Sequence, residues 1–348
     1  MLGGAVGDAL GWPIEFLTLK QIRERHGEAG VTGFLPGPIA GAPQPITDDT
    51  QMTMFTAEGL LRTPAGGDTA PVLRRAYLRW RDTQQQNGPG PEADGWLARQ
   101  QFLYAMRAPG NACMTGLRRQ AEEFVPAGEF GKPGPVNPNS KGCGTVMRSA
   151  PFGLANFGPD RAFHAAMRCA QLTHGHPTAY LSAGAFAVLI DQVLAGVELP
   201  IAVQSTIARI APMPSSAETV TALSSALAIA QLGEATPERL ELIGAGWTAE
   251  TCLAIAVYCA LHTYRTGDVR GAFLLAVNHS GDSDSTGAVA GNLLGATYGL
   301  NALPMDWIGA LEGRDELFRI ADDLVLNFFY NDRTDLDSRY PIDTELAR

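Results

Sequence analysis

The sequence predicts an all-α fold arranged as one domain over residues 1–348, and three observations carry that prediction. Apolar residues recur at the helical period over several long stretches. Alternating Val/Ile/Thr runs of the strand type hardly occur, and no linker-like segment divides the chain. At 348 residues the chain can bury a full core.

Taken in order, the helical segments begin after Asp49, where Met52, Phe55, Gly59 and Leu60 share one face. Tyr180–Leu194, Thr251–Tyr264 and Leu317–Phe329 repeat the pattern. Two segments cannot continue a helix. Gly33–Pro45 holds four prolines and three glycines, and Gly128–Gly144 holds three prolines and five glycines. Loops this long inside a domain are often functional.

Glycine also appears as stripes. Gly3, Gly7 and Gly11 recur every four residues, as do Gly287, Gly291, Gly295 and Gly299. Each interior glycine costs a helix about 0.8–1 kcal/mol relative to alanine. The pattern makes sense if two helix backbones approach closely, so the two stripes are expected to pack together and draw the chain ends into one place.

Composition narrows the functions. The net charge is −10, and only 18% of residues are charged, so no basic face awaits a nucleic acid. A phosphate-bearing ligand would have to be held by a local pocket. Five cysteines without a Cys-x-x-Cys pair argue against a disulfide framework or a zinc site and fit a reducing cytoplasm. The opening Leu-Gly-Gly-Ala-Val lacks the basic region of a secretion signal. Ser285–Met305 carries no charge and is long enough to span a bilayer. Its glycines, Asn292, Asn301 and Pro304 favour a buried helix, so no membrane partner is expected.

Two clusters combine carboxylates with hydroxyls: Thr47-Asp48-Asp49-Thr50 and Asp282-Ser283-Asp284-Ser285. Each stands at the head of a helical pattern. One reading makes Asp49 and Asp284 helix N-caps. Yet four acids exceed what capping two helices requires. Hard divalent cations need such oxygen donors, and two cations would neutralise four crowded carboxylates. Asp48 and Asp49 point about 100° apart on a helix, so they can serve different ions. Asp282 and Asp284 are spaced like ligands in a loop, with Thr47 and Ser285 as neutral oxygen donors. The Gly-rich Lys141–Met147 segment offers backbone N–H groups suited to a pyrophosphate. Arg148 reads as an anion partner or a helix-surface arginine. His174-Gly-His176 is weak evidence for zinc.

Five blocks, in order along nearly the whole chain, resemble the ADP-ribosylglycohydrolases, most closely the arginine-directed branch. They are Gly7-Asp-Ala-Leu-Gly-Trp-Pro-Ile-Glu15, Thr47-Asp-Asp-Thr-Gln-Met52, Lys141-Gly-Cys-Gly-Thr-Val-Met-Arg148, Leu172-Thr-His-Gly-His-Pro177 and His279-Ser-Gly-Asp-Ser-Asp-Ser-Thr-Gly287. Gly246-Trp-Thr-Ala-Glu250 adds a weaker sixth. The resemblance implies a compact orthogonal helical bundle with two Mg²⁺, or Mn²⁺, in a cleft. It implies Thr47, Asp48, Asp49, Asp282, Asp284 and Ser285 as metal ligands, and Glu15, Asp48 and Asp49 as the groups that manage protons. Gly142, Cys143, Gly144, Thr145, Met147 and His174 fall on the stretch that embraces ADP-ribose. Asp8 is read as a hydrogen-bonding or orienting residue, and His176 as a helix cap or packing residue. Serine at 285, where many relatives have threonine, is shared with the arginine-directed branch.

The implied activity is hydrolysis of the N-glycosidic bond between ADP-ribose and a modified protein side chain, most of all arginine, with ADP-ribose as product. ADP-ribosylserine or another conjugate is the alternative substrate. A catalytically inactive ADP-ribose binder or crystallin-like protein is the alternative of another class. Adenine calls for a flat apolar platform, which the sequence does not identify.

Overall fold

The glycine stripes meet as expected. Leu2–Gly11 forms a helix buried on every residue, and Ser283–Tyr298 forms a helix buried from Ser283 to Leu294. A methyl group built on Gly3 or Gly7 would overlap the carbonyl of Gly291 or Gly287, and the reverse holds for Gly287 and Gly291. Gly11 meets the Ser283 carbonyl in the same way. Backbone lies on backbone, and the dispersion contact so gained offsets the conformational cost of the glycines. The interlock is shorter than the stripe. Gly295 has only Leu303 near its missing side chain, at 3.7 Å, and Gly299 ends the helix with φ 75°.

The computed structural model describes residues 1–37 and 39–343; Pro38, one of the prolines of the first loop, and residues 344–348 lie outside them. Among the described residues there are 17 α-helices and no strand. The nearest approach to a sheet is two isolated bridges, Gln44 with Leu311 and Gly142 with Thr248. The all-α expectation therefore stands.

The four helical patterns are helices at Asp48–Leu61, Pro177–Leu194, Ala249–Thr266 and Arg314–Phe328. Local chemistry sets their ends. Pro177 starts its helix at a position where no backbone N–H is needed, and Gly267 in the left-handed region (φ 72°) stops the Ala249 helix. The buried apolar side chains form one cluster running from Leu2 to Tyr340.

The charge-free run Ser285–Met305 is not one helix, since it breaks at Gly299 into a short 3₁₀ turn at Leu300–Ala302. Pro177–Leu194 is the one helix among the described residues long and apolar enough to cross a membrane, and 89% of it is buried inside the protein.

The interlock positions the rest. It sets the start of the Ser283 helix beside the end of the Leu2 helix. From there Asp8 reaches the start of the Asp48 helix and accepts hydrogen bonds from the Thr47 N–H (3.0 Å) and the Thr50 N–H (3.2 Å). Two acidic clusters far apart in sequence are thereby held at adjoining helix starts.

Candidate functional site

Helix capping differs from expectation at both clusters. Thr47, not Asp49, caps the Asp48–Leu61 helix, its hydroxyl accepting the Asp49 N–H at 3.3 Å. Asp282, not Asp284, caps the Ser283–Tyr298 helix, accepting the Ser285 N–H at 3.3 Å. Asp48, Asp49 and Asp284 therefore stand in first helical turns, where the N-terminal partial charge favours carboxylates. The Asp282–Asp284 pair is half loop and half helix rather than a loop pair.

A cavity of about 380 Å³ opens over these acids, within the range of small-ligand sites. Glu15, Asp48, Asp49, Asp282, Asp284 and Ser285 line one part of it; Gly142, Cys143, Gly144, Met147 and His174 line another. Oxygens of Glu15, Asp282 and Asp284 all lie within 4.8 Å of one another. Thr47 and Thr145 are not in the lining. The Thr47 hydroxyl is occupied with Asp49 as helix cap, and the Thr145 hydroxyl donates to the Ala179 carbonyl at 3.0 Å.

The acids crowd one another in a dry place. Burial, then the charges of Asp284 and Asp48, push the Glu15 carboxyl up to about 8. Burial and Asp284 push Asp8 up to about 7, against the hydrogen bonds from Thr50 and Thr47. Asp48, Asp49 and Asp282 are raised well above the usual carboxylate range, by burial first and by Asp284 next. Oδ1 of Asp49 is buried without a hydrogen-bond partner among the described residues. Such an orphan oxygen beside crowded carboxylates fits a cationic ligand, because a divalent ion satisfies the oxygen and removes the repulsion. The donor set, all oxygen, suits Mg²⁺ or Mn²⁺.

The neighbouring wall is built by the glycine-rich loop. The Cys143 N–H donates to the Trp247 carbonyl (3.1 Å) and the Ala249 N–H to the Lys141 carbonyl (2.9 Å), so the Gly246–Glu250 block clamps the loop. Lys141 bonds Glu250 at 3.1 Å and Glu218 at 2.9 Å. The Cys143 thiol donates to Oδ2 of Asp282 at 2.8 Å, and burial holds that thiol protonated. All five cysteines are free.

Behind the loop lies His174, buried and pushed down to about 3 by burial and by the Arg148 charge. Arg148 is buried rather than on a surface and has no acidic partner among the described residues. It is 1% exposed, stacks on the Tyr77 ring at 4.5 Å, and donates to the Thr173 hydroxyl at 2.7 Å. His176 caps the Pro177 helix through Nδ1, accepting the Thr178 N–H at 3.2 Å.

Sequence reasoning missed several lining groups, among them Phe16, Trp247 and the Ala108–Ala112 segment, besides Cys113 and Ser140. Phe16 has φ 66°, a left-handed conformation that is strained for a bulky side chain. Its ring is 71% exposed and stacks on Trp247 at 5.0 Å. These rings are the only Phe, Tyr or Trp side chains lining the cavity among the described residues, and Phe16 adjoins Glu15 at the acidic end. In the Ala108–Ala112 segment, the Gly110 N–H donates to Asp48 at 3.2 Å. No periodicity signals a left-handed Phe or a loop that touches the site through its backbone.

A family model described as ADP-ribosylglycohydrolase matches residues 1–333. The ADP-ribosyl-[dinitrogen reductase] glycohydrolase of Rhodospirillum rubrum is 27% identical over 90% of this chain and 90% of its own length. An ADP-ribosylarginine hydrolase of Serratia proteamaculans is 24% identical over 93% of this chain and 77% of its own length. A solved structure titled "ADP-ribosylglycohydrolase-related protein complex" superposes with a TM-score of 0.62 at 29% identity, covering 93% of this chain and 94% of that one.

Proposed function

The chain belongs to the ADP-ribosylglycohydrolase family, and from that premise we propose that it is a metal-dependent hydrolase of the N-glycosidic bond between ADP-ribose and the guanidine of a modified arginine. The observation that carries the reading is the convergence of Glu15, Asp48, Asp49, Asp282 and Asp284 in one cavity beside the glycine-rich loop. Arginine as the modified side chain is supported by Ser285 and by the likeness to an ADP-ribosylarginine hydrolase.

Asp48, Asp49, Asp282, Asp284 and Ser285 would hold two Mg²⁺, with Mn²⁺ able to substitute. Ions held there would supply Lewis acidity to hold and polarise the ribose that bears the bond. The Gly142–Gly144 backbone and His174 orient the pyrophosphate and so fix the ribose above the acids. Water then adds to the anomeric carbon as the carbon–nitrogen bond breaks. Its proton passes to a carboxylate, and the guanidine nitrogen leaves with a proton returned to it. Glu15 is placed for this exchange, because its carboxylate lies at the acidic end of the cavity, within 4.8 Å of oxygens of Asp282 and Asp284. Ser285 keeps a hydroxyl on the cavity wall. The next residue, Thr286, turns inward and donates to the Ala276 carbonyl at 2.8 Å.

The test is release of ADP-ribose from ADP-ribosylarginine and ADP-ribosylserine proteins, with and without a chelator. Chelator-sensitive release from arginine supports the reading. Release from serine alone moves the substrate to an O-linked conjugate. Binding of ADP-ribose without turnover from either makes the protein an inactive binder.

A further inference from the structure

The buried arginine behind the site has no acidic partner among the described residues, yet it is tied to the cavity through two side chains. The chain of bonds fixes where protons sit. Arg148 can only donate, so the Thr173 hydroxyl accepts from Nη2 at 2.7 Å. That hydroxyl has one proton of its own. It can go to Nδ1 of His174 at 2.8 Å or to the Ala170 carbonyl at 3.4 Å. The shorter contact takes it, and the arginine polarises the hydroxyl into a stronger donor. Nδ1 then accepts, which leaves the imidazole neutral with its proton on Nε2.

Nε2 is the nitrogen turned towards the glycine-rich loop. A side-chain carbon built on Gly142 or Gly144 would lie 3.5 or 3.3 Å from it. No protein acceptor meets Nε2 among the described residues, and His174 lines the cavity. We infer that Arg148 and Thr173 are positioning residues that lock His174 as the Nε2–H tautomer, a donor aimed at the pyrophosphate of ADP-ribose. This inference rests on the proposed ADP-ribose ligand. Glycine at 142 and 144 leaves the room between imidazole and loop that a phosphate oxygen needs. Arg148 also keeps a second proton off the ring, since its charge adds to burial in disfavouring imidazolium. The donor therefore stays a neutral N–H through neutral and mildly acidic pH.

The experiment combines a tautomer measurement with an affinity series. In the ligand-free wild type, nitrogen NMR of His174 is expected to show a pyridine-type Nδ1 and a pyrrole-type Nε2. Thr173→Val keeps the shape and removes the hydroxyl. It is expected to weaken ADP-ribose binding about tenfold, the usual scale of one hydrogen bond to a charged group. Thr173→Ser is expected to restore affinity to within about twofold of wild type. A pyrrole-type Nδ1 in the wild type overturns the inference even if Thr173→Val fails to fold. So does a folded Thr173→Val that binds ADP-ribose as tightly as wild type. If the wild type binds no ADP-ribose at all, the proposed function fails, while the tautomer measurement still decides the relay.

Discussion

Oδ2 of Asp8 accepts the Thr50 hydroxyl at 2.5 Å, joining the Leu2–Gly11 helix to the start of the Asp48–Leu61 helix. The same carboxylate also accepts the backbone N–H groups of Thr47 and Thr50. Asp8 thus does the capping that Asp48 and Asp49 leave undone, and it frees them to face the cavity. Asp8→Ala strands three buried donors. It is expected to cost about 1–3 kcal/mol of stability and to lower turnover by misplacing Asp48 and Asp49. Thermal unfolding and kcat measured together check this; an unchanged melting temperature would show that Asp8 anchors nothing.

The glycine interlock makes opposite forecasts for two positions on one helix. Gly291→Leu drives a side chain into the Gly3 carbonyl and is expected to destabilise the protein by 3 kcal/mol or more, roughly the top of the overpacking range. Gly295→Ala meets only Leu303, at 3.7 Å, and is expected to gain about 0.5–1 kcal/mol from helix propensity. Denaturant midpoints for the pair decide it. Equal effects at both positions would dismiss the close-packing account.

Deleting one of the crowded acids should separate stability from activity. Asp49 is raised well above its usual range by burial and by Asp284, so its ionisation works against folding. A carboxyl raised in the folded state loses stability as pH climbs from its unfolded value, about 4, through its folded value. Metal-free wild type is therefore expected to lose stability as pH rises from about 4 through at least the value of about 8 at which Glu15 titrates. In Asp49→Ala the decline is expected to be shallower and the melting temperature in chelator higher at pH 8. Turnover is expected to fall at least about 100-fold, the scale of losing a metal or proton-transfer ligand. Melting curves in chelator and in Mg²⁺, with activity alongside, test both halves. Full activity in this variant, or in Asp284→Ala, refutes the metal assignment.

His174 gives a slope of the other sign. Its folded value of about 3 lies below the ordinary 6.5, so the unfolded chain binds the extra proton first. Stability is intact above about pH 6.5 and is lost as pH falls towards 3. Relative to His174→Gln, which cannot titrate, wild type is expected to lose about 3 kcal/mol at pH 4. Comparing the two proteins cancels the carboxylates. Parallel stability curves from pH 7 to 4 would mean that the imidazole is protonated without cost.

The features legible in the sequence are those with a local or periodic cause. Helical spacing and the two glycine stripes announced an all-α fold and a contact between chain ends, because close backbone approach leaves glycine no substitute. The acidic clusters were visible because such a density of oxygen donors is seldom needed elsewhere. Tertiary settings were not visible. The caps lie two residues earlier than expected, at Thr47 and Asp282 rather than at Asp49 and Asp284. Thr145 belongs to a site-like motif yet spends its hydroxyl on Ala179. Arg148 looks like a surface or anion-binding residue until Tyr77 and Thr173 are seen to enclose it. Phe16 takes a backbone conformation that no neighbour in sequence demands, and its partner Trp247 lies far along the chain.

The pairing of Gly3 and Gly7 with Gly291 and Gly287 also sets the order in which the protein can become active. The Leu2–Gly11 helix is synthesised well before the Ser283–Tyr298 helix and cannot find its partner until the intervening chain has followed. Closing a loop of that size costs only about 5 kcal/mol, since the entropy grows with the logarithm of length, so the delay is one of timing more than of energy. Until then the two acidic clusters stay apart and the cavity is not assembled. Two fragments cut within the Gly128–Gly144 loop would each hold one cluster. Activity from such a pair would appear only when they associate, which makes the seam between the chain ends a natural place to split the protein into a reporter of its own assembly.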